Sequence, residues 1–206
     1  MKNLKFVFMS QDQKRESIIE AARKRFVHFG VDKTTMNEIA DDLAISKASL
    51  YYYFPDKLNL YAAVLQKIIG DEEGEEIPYL NEKDLLKGLK KYLEQRTGFI
   101  IKNYRILEYL QNIGLGIPEE LRILFTKAKQ RDLVIISAFM KKGKDENLLK
   151  SKNLKHAAEL LHDCLNGLRV AALEGKTNFF PEEQKFYDLL DREKEVVDIF
   201  FKGLAS

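Results

Sequence analysis

An all-α fold is predicted by three observations. Apolar residues recur at helical spacing along almost the whole chain, period-two alternation is hard to find, and segment boundaries carry helix caps and stops. The expected architecture is a three-helix head built around a helix-turn-helix, followed by a larger helical body, about nine helices in all.

The first helix is expected over Gln11 to Phe29, with Ile18, Ala22, Phe26 and Phe29 on one face, Ile19 beside them, and Gly30 as its stop. Thr35 and Glu38 form a T-x-x-E capping box that opens the second helix, whose buried stripe is Met36, Ile39, Ala40 and Leu43. Ala44 and Ile45 make a turn, Ser46 caps a short third helix from Lys47 to about Phe54, and Pro55 with Asp56 ends it. A fourth runs from about Asp56 to Ile69, with Leu58, Ala62, Leu65 and Ile69 in line. Gly70 to Lys83, carrying five carboxylates between Asp71 and Glu76, reads as a solvated linker.

Beyond it, helices are expected near 83–103, 104–114, 118–142, 151–174 and 181–203, punctuated at Gly114–Pro118, Lys142–Asp145 and Glu174–Pro181. The last two carry wide stripes. One is Leu154, Ala157, Leu161, Cys164 with Leu165, Leu168 and Ala171; the other is Phe186, Leu189, Leu190, Val197, Phe200 and Leu204. Stripes of that width bury against something on both sides. The expected divisions are a mobile N-terminal tail over 1–10, with Met9 an alternative start, a head over 11–57 and a body over 58–206.

Composition narrows the function. The 34 basic and 32 acidic residues nearly cancel, so any nucleic-acid site must be local. The single cysteine, Cys164, cannot form an internal disulfide and no Cys/His spacing resembles a zinc site, which suits a reducing cytoplasm and predicts no metal. His162 and Cys164, two apart on a helix, face different ways and read as packing residues, while His28 lies where the dipole of helix one favours it. No apolar run reaches the ~18 residues of a membrane span. No nucleophile–base pair, Gly-rich phosphate loop or facing carboxylates are apparent, so neither an enzyme nor a cofactor is expected.

The third helix does suggest a function. At about 100° per residue, Leu50 and Phe54 point together toward helices one and two. The opposite face then carries Ala48, Ser49 and Tyr52, flanked by Tyr51 and Tyr53, with Lys47 at the tip. A helix of this size fits the DNA major groove, and a helix-turn-helix presents the first residues of its second helix to base edges. Lys47, Ala48, Ser49 and Tyr51 hold those positions. Phosphates are held by hydroxyls, helix N-termini and cations, which Thr34, Thr35, Tyr52, Tyr53 and Lys57 supply. Two helices at a sharp turn also occur in all-α proteins that never touch DNA. The competing reading is a helical adaptor whose tyrosine-rich helix docks on protein and which heparin would not retain.

The pattern T-T-x-x-E-I-A-x-x-L-x-I-S-K-x-S-L-Y-Y-Y-F-x-x-K, preceded by A-x-x-x-F and F-G of helix one, resembles the TetR family of bacterial transcriptional regulators across roughly Ile18 to Leu60. The resemblance implies a DNA-binding head, a body that binds a small-molecule effector, and a homodimer formed through the last two helices, acting as a repressor on a palindromic operator. It places effector lining among Leu89, Tyr92, Phe99, Tyr104, Leu107, Tyr109, Phe125, Ile136 and Phe139, whose character suits an apolar or aromatic ligand. It assigns the dimer interface to Leu161, Leu165, Leu168, Val197 and Phe200. Ala44 departs from the family, which usually has glycine in this turn; a left-handed alanine costs ~1–2 kcal/mol.

Overall fold

The computed structural model describes residues 10–73, 78–111, 119–151, 153–173 and 183–205. The expected tail, up to residue 9, lies outside them. Among the described residues there are eight α-helices: α1 (Gln11–Phe29), α2 (Met36–Leu43), α3 (Lys47–Tyr53), α4 (Lys57–Glu73), α5 (Leu85–Leu107), α6 (Glu119–Asp145), α7 (Leu154–Leu173) and α8 (Glu183–Ala205). Two short 3₁₀ turns, Pro78–Asn81 and Glu108–Gln111, accompany them.

Three boundaries differ from expectation. No break occurs at Asn103–Tyr104, because the sequence from Phe99 to Gln111 holds neither proline nor glycine to cause one. The acidic run begins inside α4, which continues to Glu73; residues 74–77 lie outside the description. The expected stop at Lys142–Asp145 is helical, and Gly143 serves packing there: a Cβ on it would lie 2.7 Å from the side chains of Leu149 and Leu85.

The chain forms two compact units, Met1–Glu75 with Asn103–Phe125, and Glu76–Lys102 with Thr126–Ser206. They do not follow the boundary expected at residue 57, because α4 and the end of α5 contribute to the core of the first. In that unit Ile18, Ala22 and Phe26 of α1, Ile39 of α2, Leu50 of α3, and Leu60, Tyr61 and Val64 of α4 are all sealed from solvent. The Tyr61 ring meets Phe26 edge-on at 6.2 Å, and its hydroxyl donates to the Ile106 carbonyl at 2.8 Å. Arg105 donates to the carbonyl of His28 at 2.6 Å, placing a cation at the C-terminal end of α1. Phe29, expected on the buried face, is 52% exposed. The chain turns at Gly30 (φ 83°) and Val31 takes the core position, leaving the Phe29 ring beneath the Arg25 guanidinium.

The second unit packs Leu89 and Leu93 of α5, Ile136 and Phe139 of α6, Leu161 and Leu165 of α7, and Val197 and Phe201 of α8 into one core. Cys164, expected among the packing residues, is exposed on α7.

Candidate nucleic-acid interface

Local chemistry sets the geometry of the head. Ser10 accepts from the Gln13 N–H while the Gln13 side chain accepts from Ser10, a reciprocal cap that opens α1. Thr35 repeats this with Glu38 at α2, the Glu38 carboxylate accepting from the Thr35 N–H and hydroxyl at 2.8 Å each. Those bonds hold the Glu38 carboxyl below its ordinary value, so the cap is intact at neutral pH and loosens only as pH falls through that lowered range. Arg25 on α1 grips Asp42 at 2.5 and 2.9 Å and Glu38 at 3.3 Å, setting how α1 and α2 cross.

Ala44 closes α2 in the left-handed region (φ 53°, ψ 43°), and Ile45 N–H returns to the Ala40 carbonyl at 3.0 Å. The turn keeps its shape at the cost of a strained alanine. Ala44→Gly is therefore expected to stabilise the protein by about 1 kcal/mol, read as a raised unfolding midpoint; an unchanged or lowered midpoint contradicts the strain.

Ser46 caps α3 by accepting from the Ser49 N–H at 3.1 Å. Leu50 and Phe54 are buried, which fixes the outward face. On it Lys47 and Ala48 are exposed, Ser49 is half-buried, Tyr51 is 47% exposed and Tyr52 73%; Tyr53 is half-buried and stands edge-on to Tyr52 at 5.1 Å. All four expected base-facing residues thus lie on or beside one solvent face.

The expected phosphate contacts divide. Thr34 is buried and its hydroxyl donates to the Gly30 carbonyl at 2.8 Å, which removes it from the surface. Lys57 donates to the carbonyls of Val31, Asp32 and Thr34 at 3.0, 3.3 and 3.2 Å, so its charge fastens the α1–α2 loop. The Thr35 hydroxyl is engaged by its capping box. Tyr52 and Tyr53 keep their places on the face. Sequence reasoning passed over the N-terminal end of α1: Gln11 donates to the Tyr52 hydroxyl at 3.4 Å and the exposed Arg15 lies over the Phe54 ring at 5.1 Å. The S-x-x-Q cap at Ser10 was the available signal, since a capped helix start beside a readout helix offers N–H groups to phosphate.

The nine expected effector-lining residues are divided between the two units. Leu89, Ile136 and Phe139 are core of the second unit, where Phe99 is half-buried; Tyr104, Leu107, Tyr109 and Phe125 belong to the first, with Tyr109 edge-on to Tyr61 at 4.9 Å. Tyr92 donates to Asp132 at 2.6 Å, and Asp132 also pairs with Arg96 and lies 3.9 Å from His162. Arg169 and Glu193, both buried, stand 2.6 Å apart between Nε and Oε1. Among the residues expected at a dimer interface, Leu161, Leu165 and Val197 are sealed within this core, and Leu168 and Phe200 are half-buried. The large exposed apolar side chains of these helices are Leu160 and Val170 on α7, and Tyr187 and Ile199 on α8, with Cys164 also exposed on α7.

A family model described as bacterial regulatory proteins, tetR family, matches residues 18–64. The HTH-type transcriptional regulator RutR of Escherichia coli is 43% identical over 56 residues, 27% of this chain and 26% of its own. The HTH-type transcriptional activator FasR of Mycolicibacterium smegmatis is 42% identical over 63 residues, 31% and 29% respectively. The chain thus matches little more than a quarter of either curated relative. The crystal structure of a transcriptional regulator from Cytophaga hutchinsonii is similar throughout: 33% identity, coverage of 93% of this chain and 98% of that one, and a TM-score of 0.78. Among the described residues no helix is long and apolar enough to cross a membrane.

Proposed function

Because the chain belongs to the TetR family of DNA-binding transcriptional regulators, we propose that it acts in the cytoplasm as a homodimeric repressor released from a palindromic operator by a small apolar or aromatic effector. The observation that carries this reading is the outward face of α3, with Lys47, Ala48, Tyr51 and Tyr52 exposed above the buried Leu50 and Phe54. Lys47, Ala48, Ser49 and Tyr51 face base edges. Tyr52, Tyr53, Arg15 and the capped start of α1 hold phosphates on either side. Thr34 and Lys57 act one step back, by holding the α1–α2 loop.

Two heads reading successive major grooves need recognition helices ~34–36 Å apart. Pairing with a second copy is supported by the large apolar side chains that the last two helices leave exposed, Leu160, Val170, Tyr187 and Ile199, with Cys164 also exposed. Repression needs no further surface, because occupancy of a promoter excludes polymerase by itself. An effector preferring the mis-spaced state by about 3 kcal/mol lowers operator affinity roughly 150-fold.

The test combines light scattering, which should give twice the 23.9 kDa of the chain, with binding to an operator selected from random duplexes. Lys47→Ala is expected to cost about 1–3 kcal/mol and relax preference at one base position. Tyr52→Ala should weaken all duplexes alike without changing the salt slope, since it carries no charge, whereas Arg15→Ala should reduce that slope by about 1. Unchanged binding in all three variants discards the interface, a monomer discards the palindrome, and in vitro transcription that rises on adding the protein discards repression.

A further inference from the structure

In the second unit, charged side chains from four helices meet inside an apolar core. Arg96 comes from α5, Asp132 from α6, Arg169 from α7 and Glu193 from α8, with Tyr92 and His162 beside them. Arg169 is 8% exposed and Glu193 2%. Their Nε to Oε1 contact brings the charges together, yet Arg169 Nη1 and Nη2 are both buried with no hydrogen-bond partner, and Glu193 Oε1 is not aligned as an acceptor. A buried guanidinium holding out both terminal nitrogens is a costly arrangement to keep, unless something accepts from them.

We propose that Arg169 anchors the carboxylate of a small organic acid, the effector of this regulator, through Nη1 and Nη2. The proposal rests on the reading of the chain as effector-responsive and names the chemistry of that effector. A planar guanidinium fork matches a carboxylate with two parallel N–H···O bonds. Charge balance selects a monoanion. Arg96 and Arg169 are offset by Asp132 and Glu193, so one added negative charge is neutralised by one proton, and a dianionic phosphate would leave a charge uncovered in the core. The proton has a receiver. Burial, opposed by Arg169 and Arg96 and helped by Asp132, already lifts the Glu193 carboxyl above its ordinary value, and a ligand carboxylate on Arg169 lifts it further. The groups facing it are thus Arg169 of α7, Arg96 of α5 and Asp132 of α6, with Tyr92 and His162 reaching Asp132. Leu165, Leu190 and Val197, near Arg169 and Glu193 in sequence and in the same core, give the acid an apolar body to match.

The test uses the full chain with benzoate and octanoate, against benzamide and octanamide, which have the same shape without the charge. Unfolding midpoints and calorimetry are recorded for wild type, Arg169→Lys and the Arg169→Met/Glu193→Leu double variant. The acids are expected to raise the wild-type midpoint and to bind about tenfold or more tighter than the amides, with uptake of about one proton per acid read from two buffers of different protonation enthalpy. Arg169→Lys, which keeps the charge and loses the fork, should weaken the acids about tenfold; the double variant, folded by circular dichroism, should show no preference for acid over amide. Equal response to amides, an acid preference that survives in the double variant, or no response to either acid overturns the site. Operator affinity measured with and without each acid addresses the regulatory reading separately: acid bound at Arg169 with unchanged DNA affinity overturns its role as effector, while release that ignores Arg169 overturns the anchor and keeps the regulator.

Discussion

Glu193→Leu alone is expected to lower the unfolding free energy by about 3–5 kcal/mol, and adding Arg169→Met is expected to recover the loss or to exceed wild type by about 1–4 kcal/mol. The single change leaves the Arg169 guanidinium buried beside Arg96 with its counter-charge gone. The double change removes both ions and fills their space with methylenes. Burial pushes the Arg169 group down, with Arg96 adding to it, and pushes the Glu193 group up, so desolvation outweighs mutual attraction for both partners. A urea-unfolding double-mutant cycle measures this, and a single-variant loss below about 1 kcal/mol would mean that the pair is effectively solvated. The pH dependence has a definite sign. With its folded value above 4.5, Glu193 holds a proton more tightly in the native state, a contribution complete below the unfolded value and lost as pH rises through the folded one. Wild type should therefore lose stability relative to Glu193→Gln as pH rises from about 4.5. Such a pair adds little net stability to the fold, which accords with the binding role proposed for Arg169.

The head was legible because its determinants are local. Capping boxes span four residues, the turn at Ala44 is set by the residues around it, and Leu50 with Phe54 orient α3 within one turn and a half. The place of Lys57 was not legible for the complementary reason: a lysine after a tyrosine run resembles a phosphate contact, and only the folded loop shows three carbonyls converging on its ammonium. The polar cluster draws a charged residue from each of four helices, and the pairs that touch through Asp132 and Arg169 lie between 24 and 40 positions apart, beyond what spacing reveals. A local trace did exist. Glu193 sits between Leu190 and Val197, and Arg169 follows Leu165, so each interrupts a stripe with a charge where the periodicity demands a buried residue. For the residues expected at a dimer interface the limit is different: a stripe on α7 reports what is apolar, while its two flanks are divided between the core, which took Leu161 and Leu165, and solvent, which kept Leu160 and Val170.

Phe26→Ala is expected to destabilise the head by about 3–5 kcal/mol, while Phe29→Ala, three residues along the same helix, should change stability by less than about 0.5 kcal/mol. Periodicity alone places both on one face and would forecast similar losses. The difference comes from where the helix stops. Phe26 is 0% exposed, edge-on to a Tyr61 ring that is itself sealed and bonded to the Ile106 carbonyl, so deleting its ring leaves a cavity whose walls are held in place. Phe29, 52% exposed, overhangs the turn at Gly30 and lies against Arg25 and His28. Arg25 keeps its bonds to Asp42 and Glu38 when that ring is removed, so the crossing of α1 and α2, and with it the presentation of α3, should survive. Phe29→Ala is accordingly expected to bind duplex DNA like wild type, and Phe26→Ala to lose binding in step with head unfolding, followed by hydrogen exchange at the amides of α1 and α3. Equal losses for the two alanines would mean that α1 continues past Gly30 in solution and that Phe29 shares the core after all.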